Sequence, residues 1–130
     1  MNIPKELRYA KTDEWIRVEG NIGTIGISDY AQEQFSDIIY VEYTVVPKEK
    51  ADKDTPAVTL ESVKHVDYLH LPVSGTVLSV NEALPDAPEL VNSDPYGKAW
   101  MVKIQMGDPA EVESLLDAAA YEAYCEERNH

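Results

Sequence analysis

From Ala57 to Val73 the chain reads AVTLESVKHVDYLHLPV, two runs in which apolar residues recur at every second position on either side of a charged centre. A repeat of two puts alternate side chains on one face, so the segment predicts two strands folded back on each other with that face buried. Val58 and Leu60 before the centre, and Leu69, Leu71 and Val73 after it, anchor the two legs. Neither flank supplies the Asn-Gly or Asp-Gly pair of a tight two-residue hairpin, and the apex holds Lys64 instead. A chain organised around such a hairpin is directed to a β-rich fold.

The remaining segments agree with that direction. EWIRVEGNIGTIGI, residues 14 to 27, alternates about Gly20-Asn21 and predicts an opening hairpin. Ser28 follows as the cap of a short helix whose inner face carries Ala31 and Phe35. DIIYVEY at 37 to 43 is β-branched and aromatic and predicts a strand; TVLSV after a turn at Ser74-Gly75, and WMVKIQM at 100 to 106, predict two more. Residues 47 to 56, PKEKADKDTP, are charged and bounded by prolines, and read as an exposed connection. The stretch 81 to 99 is rich in Pro, Asn and Asp and reads as loop with one helical turn. At the end, Asp108 as N-cap, Pro109 at the first helical position and Glu111 at capping-box-like spacing start a helix of several turns. Val112, Leu115, Leu116, Ala119 and Ala123 fall on one face of it, predicted to lie against the sheet. The sum is mainly β: a small antiparallel sandwich or flattened barrel with short helices and a C-terminal α-helix.

A length of 130 residues suits one domain, residues 1–130, able to bury a core without disulfides. The connection at 47 to 56 is not expected to divide it, since neither side is long enough for a core of its own. The net charge of -13 opposes nucleic acid and anionic membrane, which need clustered Lys and Arg, and favours a basic protein partner or a merely solvated surface. The single cysteine, Cys125, excludes an intrachain disulfide, fits a reducing compartment and reads as a spectator thiol. MNIPKELRYAK carries charge early and no apolar run, so neither a signal peptide nor a membrane span is expected, and the cytoplasm, or an organelle matrix in a eukaryote, is the expected location.

Candidate chemistry is sparse. His65, His70 and His130 form no metal-ligand pattern, and no metal is expected. The glycines of EGNIGTIGI precede a strand rather than a helix, so they are no phosphate loop, and no serine sits in a nucleophile elbow; no catalytic residue is assigned. Lys64 stands out by position. The plain reading of a lysine in a turn is a solvated charge. A Schiff-base lysine would need burial or a neighbouring cation to depress its pKa, whereas Glu61 beside an apex implies exposure and a negative neighbour. A third reading treats the amine as a substrate: an amide to a carboxylate cofactor removes the charge and lengthens the side chain into a mobile arm, with the hairpin as its pedestal.

ESVKHVDYLHLPVSGTVLSVNEAL, residues 61 to 84, followed by PELVNSDPYGKAW, resembles the lipoyl-attachment region of the glycine cleavage system H-protein family, whose hallmark is Glu-Ser-Val-Lys followed by Pro-Val-Ser-Gly. LRYAKTDEW at 7 to 15, IGISDYAQEQFSDIIYVE at 25 to 42 and ESLLDAAAYEAYCEE at 113 to 127 resemble its opening, central and C-terminal segments. Biotin carriers set their lysine between methionines, and 2-oxoacid dehydrogenase lipoyl domains carry Asp-Lys-Ala; Val63-Lys64-His65 is similar to neither.

The resemblance implies a fold of the lipoyl/biotinyl-carrier (hammerhead) type and lipoate held as an amide on Lys64, with Glu61, Ser62, Val63 and His65 as the flanks of the attachment motif. It implies a carrier rather than an enzyme. The P-protein, a glycine decarboxylase, loads an aminomethyl group on the arm; the T-protein, an aminomethyltransferase, passes the carbon to tetrahydrofolate; the L-protein, a dihydrolipoamide dehydrogenase, reoxidises the dithiol. A lipoate ligase, or the enzymes of lipoyl synthesis, supply the modification. Glu14 and Thr12 are carried over as residues of the cleft that shelters the loaded arm, with a solvated strand-edge charge as the plain reading of Glu14. Asp13 where the family has His, His65 where it has Ala, Ser36 and Ala99 where it has Gly, and the lack of glycine in 47 to 56 depart from the pattern. Two other functions stay open from sequence: an H-like lipoyl carrier for sulfur metabolism or lipoate relay, and a binding module that carries no lipoate.

Overall fold

The computed structural model describes residues 1–128. Nine strands and four helices follow one another as β1 (Arg8–Tyr9), β2 (Glu14–Glu19), β3 (Ile22–Ile27), α1 (Asp29–Phe35), β4 (Ile38–Tyr43), β5 (Lys50–Ala51), β6 (Pro56–Ser62), β7 (Val66–His70), β8 (Gly75–Val80), α2 (Leu90–Ser93), β9 (Val102–Met106), α3 (Ala110–Glu113) and α4 (Ala118–Arg128). They form a six-stranded sheet in the order β1-β2-β3-β9-β8-β5 and a three-stranded sheet in the order β4-β6-β7. Every pairing is antiparallel. The sandwich expected from the sequence is present, with the predicted hairpins at β2–β3 and β6–β7.

The main core lies where period-2 faces meet. Ile16, Ile25, Val77, Val102 and Ile104 come from the larger sheet and Val41, Val58, Leu60 and Leu69 from the smaller, all buried. Each such side chain removed from water contributes roughly 1.5–3 kcal/mol, so this seam is the principal force joining the sheets. Helix α1 closes one end with Ala31 and Phe35; the Ser28 side chain accepts a hydrogen bond from the Ala31 N–H at 3.1 Å, as a cap should. At the other end of the β6–β7 hairpin, Gly75 leaves Leu71-Pro72-Val73-Ser74 to enter β8. A Cβ there would run into the Gln105 carbonyl oxygen, so the close pairing of β8 with β9 needs glycine at this point.

Four expectations are corrected. The connection at 47 to 56 is exposed, but Lys50–Ala51 pairs with Thr76 and Gly75 as an edge strand. Lys48 N–H donates to the Val77 carbonyl at 2.7 Å and Asp54 N–H to that of Leu71 at 2.8 Å, so the charged segment is stitched to its neighbours although no apolar period announces it. The terminal helix is broken in two. Leu116 leaves the helix to exchange backbone hydrogen bonds with Tyr9, 2.8 Å in each direction, and α4 begins only after that bridge. Asp108 does accept from Ala110 N–H at 3.0 Å, but Glu111, instead of closing a capping box, accepts from the backbone and hydroxyl of Ser74, each at 2.8 Å. The face that α4 buries is Ala118, Tyr121 and Cys125, whereas Ala119 and Ala123 are exposed.

That face builds a second cluster with Leu7, Tyr9, Trp15 and Tyr30, where the Tyr9 and Tyr121 rings stack at 4.5 Å. Cys125 is a buried core residue of this cluster. The cluster matters for the site because it fixes the loop between β1 and β2, which carries Thr12 and Asp13.

Candidate functional site

The β6–β7 register pairs Glu61 with Val66, so Ser62 to His65 make the reversal, with Val63 and Lys64 at its centre. The primed turns of short hairpins require positive φ, and neither Val63 nor Lys64 has it. Ser62 supplies what the turn type does not. Its N–H donates to the His65 carbonyl at 2.9 Å, its Oγ accepts from the Lys64 and His65 N–H groups at 3.1 and 3.2 Å, and its hydroxyl hydrogen points to the His65 carbonyl at 3.3 Å. One hydroxyl thus uses its donor and both lone pairs to close the apex. Ser62 is buried while Val63 is 69% exposed and Lys64 and His65 are exposed. Lys64 Nζ has no hydrogen-bond or ion-pair partner among the described residues. Glu61, half-buried, points along the outer face of the hairpin.

His65 turns back toward the body and stacks on the Phe35 ring of α1, centroids 4.8 Å apart. The two rings form one end of a shallow cleft whose walls are Thr12 and Asp13 from the β1–β2 loop and Asp67 and Tyr68 from β7. The structure thereby places Thr12 in the same cleft as His65, the residue that follows Lys64 at the hairpin apex. Sequence reasoning named neither Phe35 in this role nor Asp67 and Tyr68.

Glu14 stands behind that wall. It is 1% exposed, which removes the plain reading of a solvated edge charge. Its carboxyl accepts from the Thr12 hydroxyl and, at 2.9 Å, from the N–H of His70. The second bond is a structural joint, since β7 is the free edge of the smaller sheet and Glu14 begins β2 in the larger one. Burial pushes the Glu14 pKa up to about 8, opposed by the hydrogen bonds from Thr12 and from the His70 backbone. His70 Nδ1 lies 3.6 Å from the same carboxyl oxygen, buried and without a hydrogen-bond partner. No sequence signal points to His70, because its pairing with Glu14 joins residues distant in the chain.

Asp13, one of the departures, is held in the left-handed region at φ 79°. Its carboxylate accepts from Arg128 at 2.6 and 3.2 Å and from the Tyr121 hydroxyl at 2.8 Å; that hydroxyl also meets Ser28 Oγ at 2.6 Å. Helix α4 is in this way tied to both sides of the cleft, the loop at Asp13 and the cap of α1. Ser36, another departure, lies at φ 66° and ψ -150°, a conformation that favours glycine, whereas buried Ala99 has no positive φ. His130 lies outside the described residues. Among the described residues no group of histidine, cysteine and carboxylate side chains could hold a metal ion.

The glycine cleavage H-protein family model matches residues 7–128. The chain belongs to the glycine cleavage H-protein family. It is 48% identical over 126 residues to the glycine cleavage system H protein of Symbiobacterium thermophilum, covering 97% of this chain and 98% of that one. To the Geobacillus kaustophilus protein of the same name it is 51% identical over 127 residues, covering 98% and 99%. A crystal structure of a glycine cleavage system H protein from Mycobacterium marinum superposes with a TM-score of 0.83 at 29% identity, covering 98% of this chain and 100% of that one. The matched span includes the whole hairpin, the cleft and α4, so the fold and the function of the family, that of the lipoyl carrier in glycine cleavage, extend to this chain.

Proposed function

We propose that Lys64 is the residue that carries lipoate, as an amide of its Nζ, and that residues 1–130 act as one lipoyl-carrier domain. The observation that carries this reading is the placement of an unpaired, exposed amine at the tip of a hairpin whose apex is locked by a single buried hydroxyl. A ligase that consumes ATP can join the two: the lipoate carboxylate becomes an acyl-adenylate with loss of pyrophosphate, the deprotonated Nζ attacks its carbonyl carbon, and AMP leaves. An amine free of ion pairs is open to that attack. Glu61, Ser62, Val63 and His65 act as flanks, with Ser62 fixing the direction in which Lys64 leaves the turn.

When bound, the lipoyl disulfide supplies the thiol–disulfide chemistry that accepts the aminomethyl group from the P-protein, yields it to the T-protein and is restored by the L-protein. The chain's own part is position. It is a carrier and not a catalyst, working in the cytoplasm, and the rigid apex makes each transfer effectively intramolecular once a partner has docked. Thr12 on the cleft wall would offer its hydroxyl to the amine end of a loaded arm. Glu14, behind it, orients the Thr12 hydroxyl and supplies negative charge to the cleft once ionised.

Intact-mass measurement after incubation with lipoate, ATP and a lipoate ligase tests the attachment. One lipoyl adduct on the wild type and none on Lys64→Arg is the expected result, because arginine keeps the charge but offers no equivalent amine. Wild-type protein that stays unmodified overturns the reading. Lipoylated protein that supports no glycine decarboxylation with P-protein would place it in another lipoate-dependent system.

A further inference from the structure

The smaller sheet shows a face that no element among the described residues covers. In β4 a bulge falls between Ile38, opposite Ser62, and Tyr40, opposite Glu61, so Ile39 is the extra residue and both Ile39 and Tyr40 are exposed. Across the sheet the outward rows are Tyr40–Glu61–Val66 and Glu42–Thr59–Tyr68, Tyr68 standing on the edge strand where it also borders the cleft. Of the ten exposed large hydrophobic residues in the described chain, five lie here or at the apex: Ile39, Tyr40, Val63, Val66 and Tyr68. Half of the apolar exposure thus gathers on a minor part of the surface, directly beside Lys64. Such a patch, with two tyrosines, is the composition of a protein contact rather than of a solvated sheet.

Charge and reach identify the occupant. The outward rows carry two carboxylates, Glu42 and Glu61, and the one Lys or Arg in residues 38–43 and 56–70 is Lys64 itself; Asp67, opposite buried Leu60, lies on the cleft side. A partner must then offer an apolar patch fringed by Lys or Arg. An enzyme that acylates Nζ has to bring its carbonyl carbon to bonding distance of that atom, so its surface must lie on residues next to Lys64. Partners that act on the far end of the arm work a whole arm's length away. The cleft side of the apex is already taken by His65 stacked on Phe35. Among the described residues the outer face is left free.

We propose that the outer face of the three-stranded sheet, centred on Ile39, Tyr40 and Val66, is the docking surface for the ATP-dependent ligase that acylates Lys64, met by a basic-rimmed apolar patch on that enzyme. The inference rests on the assignment of Lys64 as the attachment residue. The face sets recognition, so its loss acts on KM and leaves the acyl transfer itself unchanged.

Steady-state lipoylation of full-length protein by a bacterial lipoate ligase with lipoate and ATP, followed by intact mass, is the test. The Ile39→Ser/Tyr40→Ser double variant is expected to lose about tenfold or more in kcat/KM, carried by KM, as removal of central interface anchors does. Val66→Thr, which keeps the strand shape, is expected to lose about threefold, and the wild-type KM to rise with salt. Ile22→Ser and Leu78→Ser, exposed on the other sheet, are expected to match the wild type. Amide chemical shifts of the unmodified wild type titrated with ligase should move at 39–42 and 59–68. Wild-type kinetics in a folded double variant overturn the proposal. If that variant does not fold, unaltered kinetics in Val66→Thr, or shift changes confined to residues outside those ranges, overturn it equally. A wild type that takes no adduct overturns the attachment reading and this inference together; an adduct formed at equal rates in all variants overturns this inference alone.

Discussion

Lys64, at the hairpin apex, and Glu14, bonded to Thr12 of the cleft wall, stand in opposite environments. The lysine is exposed, unpaired and supported from below by Ser62, whereas the glutamate is 1% exposed and holds two elements together through Thr12 and the His70 backbone. The residue proposed to carry the arm is kept clear of hydrogen-bond and ion-pair partners among the described residues. A residue that joins two sheets is kept out of water and given hydrogen bonds in compensation. Substitution should therefore separate the two: at the apex it should remove function and leave stability alone, and at the joint it should act on stability first.

The largest effect tests the apex. Lys64→Arg should abolish the lipoyl adduct completely while the unfolding free energy stays within about 0.5 kcal/mol of wild type, as for a surface substitution; a substantial loss of stability would show that the apex lysine is structural after all. At the joint, Glu14→Ala at pH 6 should destabilise by about 2–4 kcal/mol in denaturant unfolding, since it strands the His70 N–H and leaves a cavity. The pH dependence sharpens the same point. With a pKa near 4.5 unfolded and about 8 folded, the Glu14 carboxyl holds its proton more tightly in the native state, so its contribution is complete below pH 4.5 and is lost as the pH rises to about 8. Melting temperature measured across that range should fall for the wild type, and Glu14→Gln should remove that part of the slope.

Smaller effects lie between the two regions. Ser62→Ala removes the hydroxyl that closes the apex and should destabilise by about 1–2 kcal/mol, with a slower lipoylation rate that Ser62→Thr restores. Ser36→Gly, which relieves a backbone conformation suited to glycine beside the Phe35 that supports His65, should stabilise by about 1 kcal/mol in thermal unfolding.

Much of this was legible in the sequence because the main signals are local. Period-2 alternation marks both hairpins, and Ser28 followed by Ala31 and Phe35 marks α1. The attachment region is legible by resemblance rather than by chemistry, since a lysine in a turn is otherwise unremarked. What failed to show depends on long-range pairing. The Leu116–Tyr9 bridge interrupts a run whose spacing is helical, and the predicted face took Ala119 and Ala123 where Tyr121 and Cys125 are buried. Lys50–Ala51 becomes a strand only because β8 offers an edge. The burial of Glu14 and its contact with His70 arise from the meeting of two sheets, and no local pattern encodes that meeting.

The Pro-Val-Ser-Gly half of the attachment signature has its explanation at Gly75, where any larger residue would strike the backbone of Gln105. The two halves of the signature therefore answer to different physical demands: Glu61 to Lys64 to the proposed attachment, and Gly75 to backbone clearance between β8 and β9. In a descendant that ceased to carry cargo, the lysine would be free to drift while the glycine stayed, so the pattern of which half decays tells a working carrier from a fold retained for another purpose.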